Sequence, residues 1–274
     1  MVNDNKDIAS LLESRNLTPS ELSALIDQIK NPTPRQEIYE HKWSNKHVRP
    51  ALIGDNHIAS KSQRIDYLKD FYNRCKKAKV DAVYNTGDIT EGYGMRPGHS
   101  FECLAHGVDD QVKMVKEVYP DVGIPTYFIC GNHDYSHYKS AGVDIGRIIE
   151  IERPDMHYLG FDDAKIEIMP NVILELSHPG KGSAYALSYH SQKLIESMSG
   201  GTKPKILAIG HYHKLEQLFY RNVHCFQTGT TQEQTPWMRR MNLSAHMGGW
   251  ILDVYADKKG NIDKIISTLI PYYE

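Results

Sequence analysis

Apolar residues along this chain gather into short runs that each stop at a glycine or a polar cluster, with amphipathic stretches between them. Ala51-Leu52-Ile53 reads as a buried strand halting at Gly54-Asp55-Asn56-His57. Ile65, Leu68, Phe71, Tyr72 and Cys75 then recur at the spacing of one helix face. Ala82-Val83-Tyr84 forms the next strand and closes on Thr86-Gly87-Asp88. A second amphipathic stretch, about 103–118, leads to an apolar run at 124–129 that enters a polar turn, Gly131-Asn132-His133-Asp134. Strand, helix, strand, helix, strand at these lengths predicts parallel pairing with right-handed crossovers. Ligands of such sheets sit beyond the carboxyl ends of the strands, where Asp55, Asp88 and Asn132 fall.

The second half is richer in strands. Lys165–Met169 and Val172–Leu176 predict a hairpin across Pro170-Asn171, ending at Ser177-His178. A helix near 184–198 precedes Ile206–Ile209, which stops at Gly210-His211-Tyr212-His213. Further strands are expected at 215–220, 223–228, 249–255 and 262–269, so a second sheet should pack on the first.

The first 47 residues differ. Residues 7–30 read as two short helices, the second opened by a capping box of Thr18, Pro19 and Glu21 and carrying Leu22, Leu25, Ile26 and Ile29 on one face. Residues 31–47 read as a polar linker. The expected organisation is therefore an N-terminal helical hairpin and linker over 1–47 and a main domain over 48–274. A pair of helices this small needs something to pack on, and residues 1–30 are a candidate surface for homo-oligomerisation.

Composition adds limits. With 274 residues and 40 % hydrophobic content, a sizeable core is expected. A formal net charge of −2 argues against a surface coated in positive charge for general nucleic-acid binding. Cys75, Cys103, Cys130 and Cys225 form no C-x-x-C pair, Met1–Lys6 is polar, and no apolar run reaches the roughly 20 residues of a membrane span. The expectation is a cytoplasmic protein with reduced thiols and no membrane partner.

Carboxylate, amide and imidazole groups thus end five predicted strands: Asp55 with His57, Asp88, Asn132, His178, and His211 with His213. Residues two apart on extended backbone point the same way, so each pair could grip one site. A donor set without thiolate suits manganese, iron, zinc or nickel better than a structural zinc.

This set, Asp55-x-His57, Gly87-Asp88, Gly131-Asn132-His133-Asp134, His178 and Gly210-His211-x-His213, resembles the calcineurin-like metallophosphoesterase superfamily in content and order. Gln227-Thr228-Gly229-Thr230 resembles the Pro-Gly-Ser turn that often follows, with Thr228 in place of the proline. The resemblance implies an α/β fold, a four-layer αββα sandwich of two mixed β-sheets, with the N-terminal helices as an appendage. It also implies two divalent cations, manganese first, with iron, zinc or nickel as alternatives. One would take Asp55, His57 and His213, the other Asn132, His178 and His211, with Asp88 bridging. Metal-bound hydroxide would attack a phosphoester substrate while His133 acts as general acid. Glu91 lies where some members place an Asp that orients this histidine, so it is expected to be the partner of His133. Tyr135, His137, Arg239 and Arg240 are candidate substrate contacts, the two arginines flanked in sequence by Trp237 and Trp250. Arg96 and His99 are expected at the rim.

Asn-His-Asp rather than Asn-His-Glu, and no Asp-Arg-Gly after Gly87-Asp88, separate the chain from protein Ser/Thr phosphatases. The favoured expectation is a phosphodiesterase, with nucleic acid or nucleotides among the candidate substrates in an exonuclease-like reaction. A phosphomonoesterase is the nearer alternative, and a non-catalytic scaffold the more distant one.

Overall fold

The computed structural model describes residue 18 and residues 38–44, 46–180, 182, 184, 186–198, 201 and 203–273. The two helices expected within 7–30, and oligomerisation through 1–30, therefore lie outside the described residues. Residues from Ile38 onward form one compact unit.

In that unit the period-2 pattern of the strands sets the layers. Leu52 of β3 (Pro50–Ile53), Tyr84 of β4 (Ala82–Asn85) and Ile129 of β5 (Thr126–Cys130) join the core between the two sheets. Their neighbours Ala51, Ile53, Val83 and Phe128 face the opposite way and meet Leu68, Phe71, Val112 and Ile149. Those four come from three helices, α1 (Ile65–Ala78), α2 (Val108–Val118) and α4 (Ile145–Glu152), which follow α3 (Asn132–Ala141) in the case of α4. Fully burying a side chain such as Leu68 or Phe71 stabilises the fold by about 1.5–3 kcal/mol.

The first sheet runs β13-β12-β3-β4-β5-β6, with β2 (His47–Val48) also on β12. Here β6 is Met156–Phe161, β12 Gly248–Ala256 and β13 Ile262–Pro271. Strands β3 to β6 are parallel, and β12 is antiparallel to both β3 and β13. The second sheet runs β1-β7-β8-β9-β11-β10. It comprises β1 (Ile38–Glu40), β7 (Asp163–Met169), β8 (Val172–Ser177), β9 (Ile206–Ile209), β10 (Leu215–Tyr220) and β11 (Val223–Thr228). On its outer face Leu207, Ile209, Val223 and Cys225 pack with Ile195 of α5 (Tyr189–Ser197). The result is the four-layer αββα sandwich of two mixed sheets.

Two local expectations change. Strand β1 pairs with β7 in parallel from Ile38↔Lys165 to Glu40↔Glu167, so 38–40 belongs to the sheet rather than to a linker. Only Tyr39 of that strand is partly buried, and three residues, Ile38-Tyr39-Glu40, are too few to show an alternation in sequence. The Asn132-His133-Asp134 turn is instead the first turn of α3. Gly131 is its N-cap, and Asp134 Oδ2 accepts the Gly131 N–H at 3.1 Å, half of a capping box. All four cysteines are buried and unpaired.

Candidate metal centre

Parallel strands β3, β4, β5, β8 and β9 all end on the same constellation. Asp55, His57, Asp88 and His178 are buried at 0–1 % exposure. Asn132, His133 and His211 are only partly buried and form its solvent side. Backbone conformation marks the site as sharply as residue type. Asp55, His57, Asp88, His211 and His213 have φ of 50, 48, 51, 77 and 52°, in the left-handed region. Each such residue costs about 1–2 kcal/mol, so the loops are held in strained turns by the surrounding structure. The Asp55-x-His57 pair therefore converges through left-handed turns and not through extended backbone.

Two donor groups meet around Asp88. Asp55, His57 and His213 form one, with His213 Nε2 at 3.0 Å from His57 Nε2 and 3.6 Å from Asp55 Oδ1. Asp88, His178 and His211 form the other, with His178 Nε2 at 3.2 Å from Asp88 Oδ2. Asn132 Oδ1 joins it, 3.1 Å from His178 Nε2 and 2.7 Å from His211 Nδ1. Asp88 also lies 3.9 Å from His57 Nε2, so it stands between the groups. His211 and His213 do not grip one group, as residues on extended backbone would; they divide between the two.

Supporting contacts fix these donors. His178 Nδ1 donates to the Thr86 carbonyl at 2.7 Å, leaving Nε2 to face Asp88. The His133 N–H donates to Asp88 Oδ1 at 2.8 Å, and the His211 N–H reaches both Asp55 carboxylate oxygens at 2.9 Å. Thr230 Oγ1 donates to the Asp55 carbonyl at 2.6 Å. Thr228, where the family turn has proline, bonds Thr86 Oγ1 at 2.7 Å. Asp134 accepts from Ile89 N, Thr90 N and Thr90 Oγ1 at 2.7–3.1 Å, so it ties the Asp88 loop to α3 and does not face the donors. Gly131 has no room for a side chain: a Cβ there would lie 2.5 Å from His178 Cε1 and closer still to Asp88 Oδ1.

Electrostatics follow from burying so many titratable groups together. Burial raises the Asp88 carboxyl, but His178 and His133 outweigh it and hold the pKa well below the usual range. Burial, reinforced by Asp88, lifts Asp55 to about 7. His57 and His178 would be lowered by burial, yet the carboxylates around them push them up to about 9 and about 10. His211 falls to about 3 through burial and the neighbouring His178, and burial with His57 drives His213 down as well.

His133 lies beside the donors, its ring centroid 4.5 Å from that of His57. Its expected partner behaves differently. His133 Nδ1 donates to the Glu91 backbone carbonyl at 2.6 Å, whereas the Glu91 carboxylate, within 4.8 Å of this ring, makes its close contacts with other side chains. That carboxylate is 1 % exposed and gathers three nitrogen partners: His57 Nδ1 and His99 Nε2 at 3.0 Å and Gln232 Nε2 at 2.9 Å. A buried carboxylate needs such partners, and the longer glutamate arm reaches them past His133. His99, expected at the rim, is buried at 1 % on a 3₁₀ turn (His99–Glu102).

The candidate substrate contacts separate. Tyr135 is partly buried in a stack with Tyr138, centroids 5.5 Å apart. His137 faces inward at 2 % exposure, its Nε2 3.3 Å from Gln111 Oε1, and so does not line a cleft. Arg239 and Arg240 sit exposed on α6 (Pro236–Arg240) and line a cavity of about 530 Å³ with Gln234 and Pro236. Arg96 stacks on Trp237 at 4.6 Å, but Trp250 is elsewhere, donating to the Gln227 carbonyl in the inter-sheet core. Sequence reading missed Thr86, Gln232 and the buried role of His99. Only Thr86 carried a signal, as the residue immediately before Gly87-Asp88.

The sequence matches the calcineurin-like phosphoesterase family over residues 48–265. This chain belongs to that family. Its members are metal-dependent phosphoester hydrolases, and the two donor groups are this chain's candidate metal ligands. The DNA polymerase II small subunit of Methanothermobacter thermautotrophicus is 24 % identical over 242 residues, 70 % of this chain and 49 % of that protein. The subunit of the same name from Halobacterium salinarum is 21 % identical over 243 residues, 75 % of this chain and 48 % of that one. The chain thus spans about half the length of the curated relatives it matches. A solved structure described as a novel archaeal phosphodiesterase aligns with a TM-score of 0.47 at 12 % identity, covering 81 % of this chain and 100 % of that one. Among the described residues, no helix is long and apolar enough to cross a membrane.

Proposed function

We propose that this protein is a dinuclear metal-dependent phosphodiesterase whose catalytic domain covers 48–274 together with strand β1. One observation carries the reading: Asp88 stands between two donor groups, with the His133 imidazole beside them. The donor chemistry fits divalent cations. His57 Nε2 and His213 Nε2 face each other at 3.0 Å, and His213 Nδ1 is buried without a hydrogen-bond partner among the described residues. A cation between them would take both Nε2 lone pairs, where without it one ring donates to the other.

Asp55, His57 and His213 would hold one ion and Asn132, His178 and His211 the other, with Asp88 common to both. Manganese is the first choice, and iron, zinc or nickel suit the same donors. When bound, the ions supply a clamp for the phosphate oxygens and acidify the attacking water. The chain supplies the rest. The Thr86 carbonyl and the His133 N–H hold His178 and Asp88 in place. Nδ1 of His133 is committed to the Glu91 carbonyl, so the leaving oxygen would take its proton from Nε2 of the doubly protonated ring, with the Nδ1 proton staying on that carbonyl; burial lowers the pKa of this imidazole and the Asp88 carboxylate opposes the shift.

Nucleic acid or nucleotides are the proposed substrates. The curated relatives are DNA polymerase subunits, and Arg239 and Arg240, exposed and without an ion pair among the described residues, lie on a segment tethered to the site. That segment starts where Thr230 binds Asp55 and returns where the His246 N–H donates to the His213 carbonyl at 2.9 Å. The test is hydrolysis of matched chromogenic phosphodiester and phosphomonoester substrates, with single- and double-stranded DNA, in Mn²⁺ or chelator. Metal-dependent diester and DNA cleavage is expected; a preference for the monoester would contradict the diesterase reading.

A further inference from the structure

Glu91 holds two imidazoles with different parts of itself. Its backbone carbonyl takes the Nδ1 proton of His133 at 2.6 Å, and its carboxylate faces Nδ1 of His57 at 3.0 Å. The second contact is an ion pair lying off the line of a straight hydrogen bond, in a pocket that excludes water. The carboxylate itself cannot drift. Oε1 accepts from His99 Nε2 at 3.0 Å, and Oε2 accepts from Gln232 Nε2 at 2.9 Å. Gln232 is in turn held through Ser60 Oγ at 2.8 Å, and Gln111 bonds both the N–H and the carbonyl of Gly92 beside Glu91.

We propose that Glu91 is a positioning residue for His57: its carboxylate keeps the proton on Nδ1 and so leaves Nε2 as the atom offered to a divalent cation. The inference rests on the metal-centre reading above. Two observations and the chemistry of imidazole lead to it. His57 Nε2 already points to the other donors, at 3.0 Å from His213 Nε2 and 3.9 Å from Asp88 Oδ2. Nδ1 has Glu91 and no other polar partner among the described residues. The neutral imidazole has one proton to place, and a carboxylate beside one nitrogen decides which nitrogen keeps it. His178 reaches the same state by another route, with the Thr86 carbonyl in the place of the carboxylate. The two donor groups therefore differ in kind: one histidine is backed by a charge, the other by a neutral dipole. A charge behind the imidazole makes Nε2 the stronger donor. Removing it should weaken one group and spare the other.

Glu91→Gln keeps the length and shape of the side chain and removes the charge. Mn²⁺ binding to wild type and to this variant, followed by calorimetry with electron paramagnetic resonance, should show two ions in wild type. The variant should lose about 10–100-fold affinity at one of them, with the other unchanged. Histidine ¹⁵N spectra of the Zn²⁺-loaded wild type provide a readout that does not depend on the variant folding. His57 should carry its proton on Nδ1 and none on Nε2. Unchanged affinity at both sites, equal weakening of both, or a proton on Nε2 of His57 would each overturn the role given to Glu91. Absence of Mn²⁺ and Zn²⁺ binding in wild type would overturn the metal centre itself, and this inference with it.

Discussion

His57 and His213 turn their Nε2 atoms toward each other across 3.0 Å in a site where both rings are buried. Only one proton fits between two such nitrogens; the Glu91, Asp88 and Asp55 carboxylates raise His57, while burial and the neighbouring His57 lower His213. A divalent cation relieves the arrangement by accepting both lone pairs. Mn²⁺ should therefore stabilise the fold, by about 2.7 kcal/mol at one hundred times its Kd. Thermal melts with Mn²⁺ and with chelator check this; His213→Ala should lose much of the shift, and no Mn²⁺-dependent shift in wild type would count against the site.

In the proposed reaction His133 serves as the proton donor and not as a ligand, although its ring lies within reach of His57 and Asp88. His133→Asn should lower kcat about 10²–10⁴-fold while Mn²⁺ stoichiometry stays as in wild type. Paired kinetic and binding measurements separate that outcome from loss of the ions.

Gly131 is enclosed by Asp88 and His178. Gly131→Ala should destabilise the protein by about 1–3 kcal/mol through overpacking and weaken Mn²⁺ binding, because the intruding carbon displaces two donors. Denaturant unfolding with and without Mn²⁺ measures both effects.

The guanidiniums of Arg239 and Arg240 line the open cavity on α6. The double replacement by alanine should raise KM roughly tenfold or more for a DNA strand, as expected on losing charged hydrogen bonds. KM for a small chromogenic diester should stay nearly unchanged. Equal effects on both substrates would remove these residues from substrate binding.

Away from the centre, burial, with His157 adding to it, lowers His41 to about 4. Its Nδ1 contacts the Tyr84 hydroxyl at 2.9 Å, and its ring packs 4.0 Å from Tyr127. The folded-state pKa lies below the unfolded value near 6.5, so the unfolded chain binds more protons between those values. The contribution of neutral His41 is complete above pH 6.5 and declines as pH falls from 6.5 toward 4. The stability difference between wild type and His41→Phe should shrink over that window in unfolding titrations.

Much of this centre was readable because its ligands sit where strand patterns stop. Leu52, Tyr84, Ile129 and Ile206 alternate with oppositely facing neighbours, and each run ends on a glycine and a donor. Directions within the loops were not readable. Glu91 could have met any of three nearby imidazoles, and only the tertiary arrangement sends its carboxylate to His57 and His99 and its carbonyl to His133. Trp250 is close to Arg240 in sequence, but its strand carries it into the inter-sheet core. Strand β1 gave no apolar alternation because it pairs at a sheet edge, with Ile38 and Glu40 both exposed. The helical start at Asn132 did carry a signal, Gly131 with Asp134 three residues later, which the neighbouring donors obscured.

The most direct measurement is anomalous diffraction from crystals of the Mn²⁺-loaded protein. Two peaks roughly 3.5–4 Å apart and bridged by Asp88 are expected, one against Asp55, His57 and His213 and the other against Asn132, His178 and His211. A single peak, or none, under saturating Mn²⁺ would contradict the dinuclear centre on which the proposed reaction depends.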